Sequence, residues 1–468
     1  MSIISTYVLP HAQALIPEIS KDRISKFEAT TISYNEIAEK IAAIEPETII
    51  IINSHEAVYG DYFHINNKEC ASGDFSAYGA GNVKFSFDYD TELVKAIENI
   101  CLEKDFPAGT EGEDKPLSHG IMVPLYYLNK YIKNEYKVVS ISISGLGNSI
   151  HYKFGQLIND AVEATGRKAI VIASGDFSHR VKKDSPFGYH KNGALYDGLL
   201  TTALRKTDFL NLFGFEDDMV LAATECVLMP ITIMAGCLDG KNPVPDFKSY
   251  EAPFGIGMCV CGFTIDDFEE NDSTRRFLRI LNERILDGVD RKIENAPNAI
   301  KISMITLQTL LTEDRIIDAN ELPKEITDPL INDHNGVFVS FKINKRARGS
   351  MGSFTVTTSN VVTEIITMTV AAASNDLRFK PITLEELDAI SVTVDIIEPL
   401  ESIQFLNQVN HRKHGLYIEK DGVIGLCLPN AQDFKSSKQM LEIALAEAGF
   451  KEDDDYKMYR FDTMRFTL

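Results

Sequence analysis

Apolar residues in the first half of the chain fall into short unbroken runs, separated by segments of helical spacing. Ile3–Leu9, Glu47–Asn53, Lys137–Ile143, Lys168–Ser174 and Met258–Phe263 read as strands. Most of these runs are continuous rather than alternating, as expected of strands buried on both faces. Between the first two, Tyr34–Ile44 carries Ile37, Ile41 and Ile44 at helical spacing. A helix near Gln156–Thr165, closed by Gly166, lies between the third and fourth. This order predicts β-α-β units and a mainly parallel sheet covered by helices, with ligands beyond the carboxyl ends of the strands.

The pattern changes after residue 263. An acidic stretch, Asp266-Asp267-Phe268-Glu269-Glu270-Asn271-Asp272, precedes an apolar helical face of Phe277, Leu278, Ile280, Leu281 and Ile285. Residues 264–296 therefore read as a helical connector, or equally as the first helix of a second domain. From 297 to 468 the elements are those of a smaller α+β domain. They comprise a helix over Ile300–Leu311, a strand over Gly336–Lys342, a helix capped by Ser359 and running to Val370, and a strand over Ser391–Ile397. Leu416–Glu419 and Val423–Leu428 flank Lys420-Asp421-Gly422 as a hairpin, with Asp-Gly suited to a turn of positive φ.

Composition narrows the function classes. A chain of 468 residues exceeds one ordinary core, which makes two domains the expectation. With 47 Lys and Arg against 68 Asp and Glu, the net charge is −21, and no basic stripe suits a nucleic-acid partner. No apolar stretch approaches the roughly 20 residues that span a bilayer, and the first residues lack a basic leader. The seven cysteines have no disulfide rhythm. Cys259 and Cys261 would share one face of a buried strand. A cytoplasmic protein with free thiols is expected.

Histidines punctuate the predicted strand ends, in Pro10-His11, Asn53-Ser54-His55, Ser118-His119-Gly120 and Gly175-Asp176-Phe177-Ser178-His179. Two imidazoles and one carboxylate hold Fe(II) while leaving positions open, and zinc accepts the same donors. His11 and His55 are the candidate imidazoles, on the expectation that neighbouring parallel strands carry them. Glu225, an acid within the otherwise apolar Met219–Met229, is the candidate carboxylate. His179 and His119 suit proton transfer and substrate or oxygen contact. Asp176 would orient His179 or cap a helix. His64 could be ligand, support or core, and His151 and His190, which carry no motif, read as structural or surface residues. Each residue alone also fits a hydrogen-bonded structural role; the joint placement at strand ends points to metal.

At these residues the chain resembles the class III extradiol ring-cleavage dioxygenase superfamily, which includes the Memo-like proteins. The resemblance implies that His11, His55 and Glu225 are iron ligands and that His179 is a general base. It implies His119, within His119-Gly120 and Val123-Pro124, as a further active-site residue and a catechol-like or other vicinal diol as substrate. The second domain is similar to the AMME chromosomal-region family through Gly336-Val337-Phe338-Val339-Ser340, Arg348-Gly349-Ser350-Met351-Gly352-Ser353-Phe354, Arg378-Phe379-Lys380-Pro381-Ile382 and Leu426-Cys427-Leu428-Pro429. The two-domain order resembles the AmmeMemoRadiSam system protein A family, which implies Memo-like and radical-SAM companion proteins. A non-catalytic metal-binding or scaffold role is the alternative to an oxidoreductase. Where that second family carries Arg-Gly-Cys-Ile-Gly, this chain has Ser350 and Met351, removing the thiol expected to do chemistry. Arg348, followed by Gly349 and Gly352, reads as a candidate anion-binding loop or a plain strand connection.

Overall fold

The computed structural model describes residues 2–113, 115–265, 273–343, 345–429 and 435–468. The acidic stretch 266–272 and Pro429's neighbours at 430–434 lie outside the described residues. The chain divides into two compact units, Met1–Leu281 and Asn282–Leu468.

The first unit is built on six strands: β1 (Ile3–Leu9), β2 (Thr48–Asn53), β3 (Lys137–Ser142), β4 (Ala169–Ser174), β5 (Pro243–Glu251) and β6 (Met258–Ile265). Their order in the sheet is β3-β2-β4-β1-β6-β5. The first four are parallel, whereas β6 runs antiparallel to both β1 and β5. A short connection, too brief for a crossover, joins β5 to β6 and makes that edge antiparallel. β1 and β2 are not neighbours as expected from the sequence: β4 lies between them.

Alternation along each strand explains the unbroken apolar runs. Val8, Ile50, Ile52, Val139, Val171 and Ala173 join one buried cluster, and their neighbours Tyr7, Leu9, Ile49, Ile51, Val138 and Ile172 join the other. Helices Thr91–Glu103, Asn148–Thr165, Lys191–Lys206 and Leu228–Gly236 contribute to the first cluster, and Glu28–Ile44 and His119–Leu128 to the second. Cys259 and Cys261 share the first face with Phe263, buried and free. The helix expected near Gln156 begins earlier, at Asn148, and ends as expected at Gly166, whose φ is +66°. It lies so close to Leu228–Gly236 that a Cβ on Gly155 would stand 1.9 Å from the Ile233 carbonyl oxygen.

The second unit carries two antiparallel four-stranded sheets. One orders Arg346–Gly352, Val337–Ile343, Ile390–Ile397 and Thr463–Thr467; the other orders Glu401–Ile403, Lys457–Phe461, Gly415–Lys420 and Val423–Cys427. The hairpin turn falls on Asp421 and Gly422, both at positive φ (52° and 80°). The helix expected from Ser359 is Val361–Ser374, and its cap is Asn360, whose side chain accepts the Thr363 N–H at 3.0 Å. Arg348 lies in a strand. Its guanidinium donates to both Glu386 carboxylate oxygens (2.6 and 2.8 Å) and to the carbonyls of Lys380 and Pro381, so these protein acceptors take the place of an external anion. Ser350 Oγ pairs with Ser340 Oγ at 2.8 Å.

Candidate metal centre

The carboxyl ends of the parallel neighbours β2, β4 and β1 lie side by side at one edge of the sheet, and each loop leaving them is tied to another by a side chain. Asn53, the last residue of β2, accepts the His55 N–H at 2.9 Å and turns that loop back over the sheet. Glu56 accepts from Ser118 Oγ at 2.6 Å, linking the residue after His55 to the residue before His119. Gly120 is required there, because a Cβ on it would fall 2.7 Å from Asn53 Oδ1. Asp176, beyond β4, accepts the His11 N–H at 3.1 Å. Its carboxyl binds the β1 loop and neither orients His179 nor caps a helix; burial raises its pKa to about 7.

These ties gather three imidazoles. His11, His55 and His119 each offer a ring nitrogen within 4.8 Å of the others. The Nε2 atoms of His11 and His55 are 3.1 Å apart. Two nitrogens bound at a right angle to one ion, with metal–nitrogen bonds of about 2.1 Å, would be ~3 Å apart. The His119 ring stands edge-on to His11, at 5.0 Å between centroids, and 4.2 Å from His55. Burial and the neighbouring imidazoles hold His11 well below the ordinary histidine pKa. Burial and then Lys115 lower His55, and burial and then His55 bring His119 to about 4. Neutral imidazoles with ring nitrogens this close together are a donor set that a divalent transition-metal ion can take.

His179 lies in the loop after β4, its ring 4.9 Å from that of Phe187. Its Nε2 is buried and has no hydrogen-bond partner among the described residues, while burial and then His55 lower its pKa to about 4. His64 stands apart from the three-histidine group; its Nδ1 faces the Glu111 carbonyl at 3.1 Å. His151 is fully buried, and His190 caps helix Lys191–Lys206 through its own side chain.

Glu225 is placed differently from the imidazoles. Its Oε2 accepts the N–H groups of Val227 and Leu228, at 2.6 and 2.7 Å, at the start of helix Leu228–Gly236. The next residue points inward: Cys226 Sγ lies 3.3 Å from His11 Nε2 and 3.2 Å from the Asp176 backbone nitrogen. Thr224, at φ +54°, makes the turn that leads into this pair. Sequence reasoning gave Cys226 no role, although it adjoins the acid that drew attention.

Residues 5–261 match the family model described as the catalytic LigB subunit of aromatic ring-opening dioxygenase. The chain belongs to this family. Residues 300–466 match the AMMECR1 family, so a LigB domain is followed by an AMMECR1 domain. A protein of Clostridium acetobutylicum is 32% identical over 473 residues, covering 99% of both chains. A Thermotoga maritima protein is 31% identical over 169 residues, covering 36% of this chain and 95% of that one. A Pyrococcus horikoshii protein of solved structure is 25% identical and covers 37% of this chain and 90% of that one, with a TM-score of 0.34. LigB-family dioxygenases are metal-dependent, and the three-histidine cluster lies inside the matched residues. Among the described residues, no helix is long and apolar enough to cross a membrane.

Proposed function

We propose that the LigB domain is a non-haem Fe(II)-dependent dioxygenase acting on a catechol-like or other vicinal-diol substrate. The observation that carries this reading is the 3.1 Å approach of His11 and His55 Nε2 in a buried, neutral cluster closed by His119. His11 and His55 would hold the metal together with a carboxylate from Glu225, which must give up its helix N–H partners to turn inward. Bound Fe(II) would supply open positions at which a diol and dioxygen meet.

The remaining work falls to side chains. His179 Nε2, which has no hydrogen-bond partner among the described residues, would take a phenolic proton from the diol. Burial keeps that ring neutral and able to accept, and the anion left by the transfer raises its proton affinity. His119 borders both candidate ligands and contacts the substrate or oxygen side. Tyr78 OH, 3.4 Å from His119 Nδ1, orients that ring.

A second reading rests on one contact. Cys226 Sγ already stands beside His11 Nε2, so its thiolate would serve in place of Glu225 and favour softer ions; zinc is the other candidate metal. Interaction with Memo-like and radical-SAM companions, and any scaffold role, rest on the family resemblance alone.

Anaerobic metal analysis coupled to oxygen uptake over a panel of diols tests the proposal. Stoichiometric iron with diol-dependent uptake supports it. Retained iron after replacing both His11 and His55 removes the ligand assignment, and iron without turnover leaves a binding role.

A further inference from the structure

We propose that Ser174 is a positioning residue: its hydroxyl sets the ring tautomer of His11 and ties His11 to the helix that begins at His119. The inference rests on the metal reading above. Ser174 is the last residue of β4, the strand between β1 and β2. It is fully buried, and its side chain meets groups from two other elements.

The direction of each hydrogen bond follows from chemistry. Ser174 Oγ lies 2.6 Å from the Gly120 carbonyl oxygen, which can only accept. The hydroxyl proton is therefore spent on Gly120. The same Oγ lies 3.1 Å from His11 Nδ1 and has only lone pairs left to offer, so Nδ1 must carry the proton. A neutral imidazole protonated at Nδ1 has its lone pair on Nε2. That is the atom facing His55 Nε2 and Cys226 Sγ.

One hydroxyl thus performs two tasks. It keeps the His11 donor atom unprotonated before any ion arrives, and it anchors the first turn of the helix that carries His119. Such outer partners of ligating histidines typically change metal affinity by about 10–100-fold.

The test uses the full-length chain as wild type, Ser174→Ala and Ser174→Thr, with Co(II) alone as the probe. In metal-free wild type and Ser174→Thr, nitrogen NMR of labelled His11 should report a single tautomer protonated at Nδ1. Ser174→Ala should show a mixture and bind Co(II) about tenfold more weakly. A Ser174→Ala protein with the wild-type tautomer and wild-type affinity overturns the inference, as does a Ser174→Thr protein that behaves like Ser174→Ala. Wild-type protein that takes up no Co(II), yet shows the Ser174-dependent tautomer, overturns the metal reading and supports the tautomer assignment.

Discussion

The carboxylate of Asp176 accepts the backbone N–H of His11 at 3.1 Å, across 165 positions of sequence. The bond fixes the loop after β1 to the loop after β4. Asp176→Ala should leave that buried N–H unsatisfied and cost about 1–3 kcal/mol. Urea unfolding of the full chain, with a probe in the first unit, would measure it. An unchanged midpoint would show that the loop is held by other contacts.

Glu225 and Cys226 compete for one role. Glu225→Gln keeps an acceptor oxygen for the Val227 and Leu228 N–H groups but removes the charge a metal would neutralise. We expect it to lower Fe(II) affinity by at least the roughly tenfold seen for outer partners, with Cys226→Ala near wild type. The opposite pattern in anaerobic titrations would transfer the donor role to Cys226.

His151 is expected to shape acid stability. Its Nε2 accepts the Ser144 N–H at 3.3 Å and its Nδ1 faces the Gly147 carbonyl at 3.0 Å, an arrangement only the neutral ring satisfies. Burial lowers its pKa to about 4, against about 6.5 in an unfolded chain. Between those values the unfolded state takes up a proton that the folded state refuses. Its contribution is therefore complete above about pH 6.5 and is lost as pH falls through about 4. His151→Gln should flatten this part of the stability profile. Equal slopes for both proteins between about pH 7 and about pH 4.5 would refute the assignment.

Gly155 sits where two buried helices touch backbone to backbone. Its Cβ would meet the Ile233 carbonyl oxygen at 1.9 Å, a backbone atom that cannot rotate away. Gly155→Ala should force the two helices apart and cost about 3 kcal/mol. A thermal midpoint equal to wild type would contradict this.

In the second unit, Arg348→Lys should fail to replace the forked contact with Glu386, because an ammonium lacks the planar pair of donors. A loss of about 1–3 kcal/mol is expected for that unit's unfolding. Full retention of stability would show that Arg348 is free to serve a ligand.

The parallel core was legible because Ile49–Ile52 and Ile170–Ala173 are apolar on both faces, a pattern that few other settings tolerate. The separation of β1 from β2 was not, since strand order is decided by how crossover helices pack rather than by any local residue. His11 and His55 could be read from their places after strand ends. The turn of Glu225 onto backbone N–H groups could not, because a carboxylate before an apolar helix suits a cap and a ligand equally. Cys226 was hidden for a related reason: a thiol within an apolar run looks like core until its neighbour in space is known. Ser174 was visible only as the end of a strand.

β1 precedes its partners on either side in the chain: β4 and β6 begin at residues 169 and 258. A ribosome must therefore complete nearly the whole first unit before His11 gains a fixed position. On the metal reading, the His11 site would not assemble on a short nascent chain, and a pulse of metal during synthesis should find a binding site only after β6 has closed on β1.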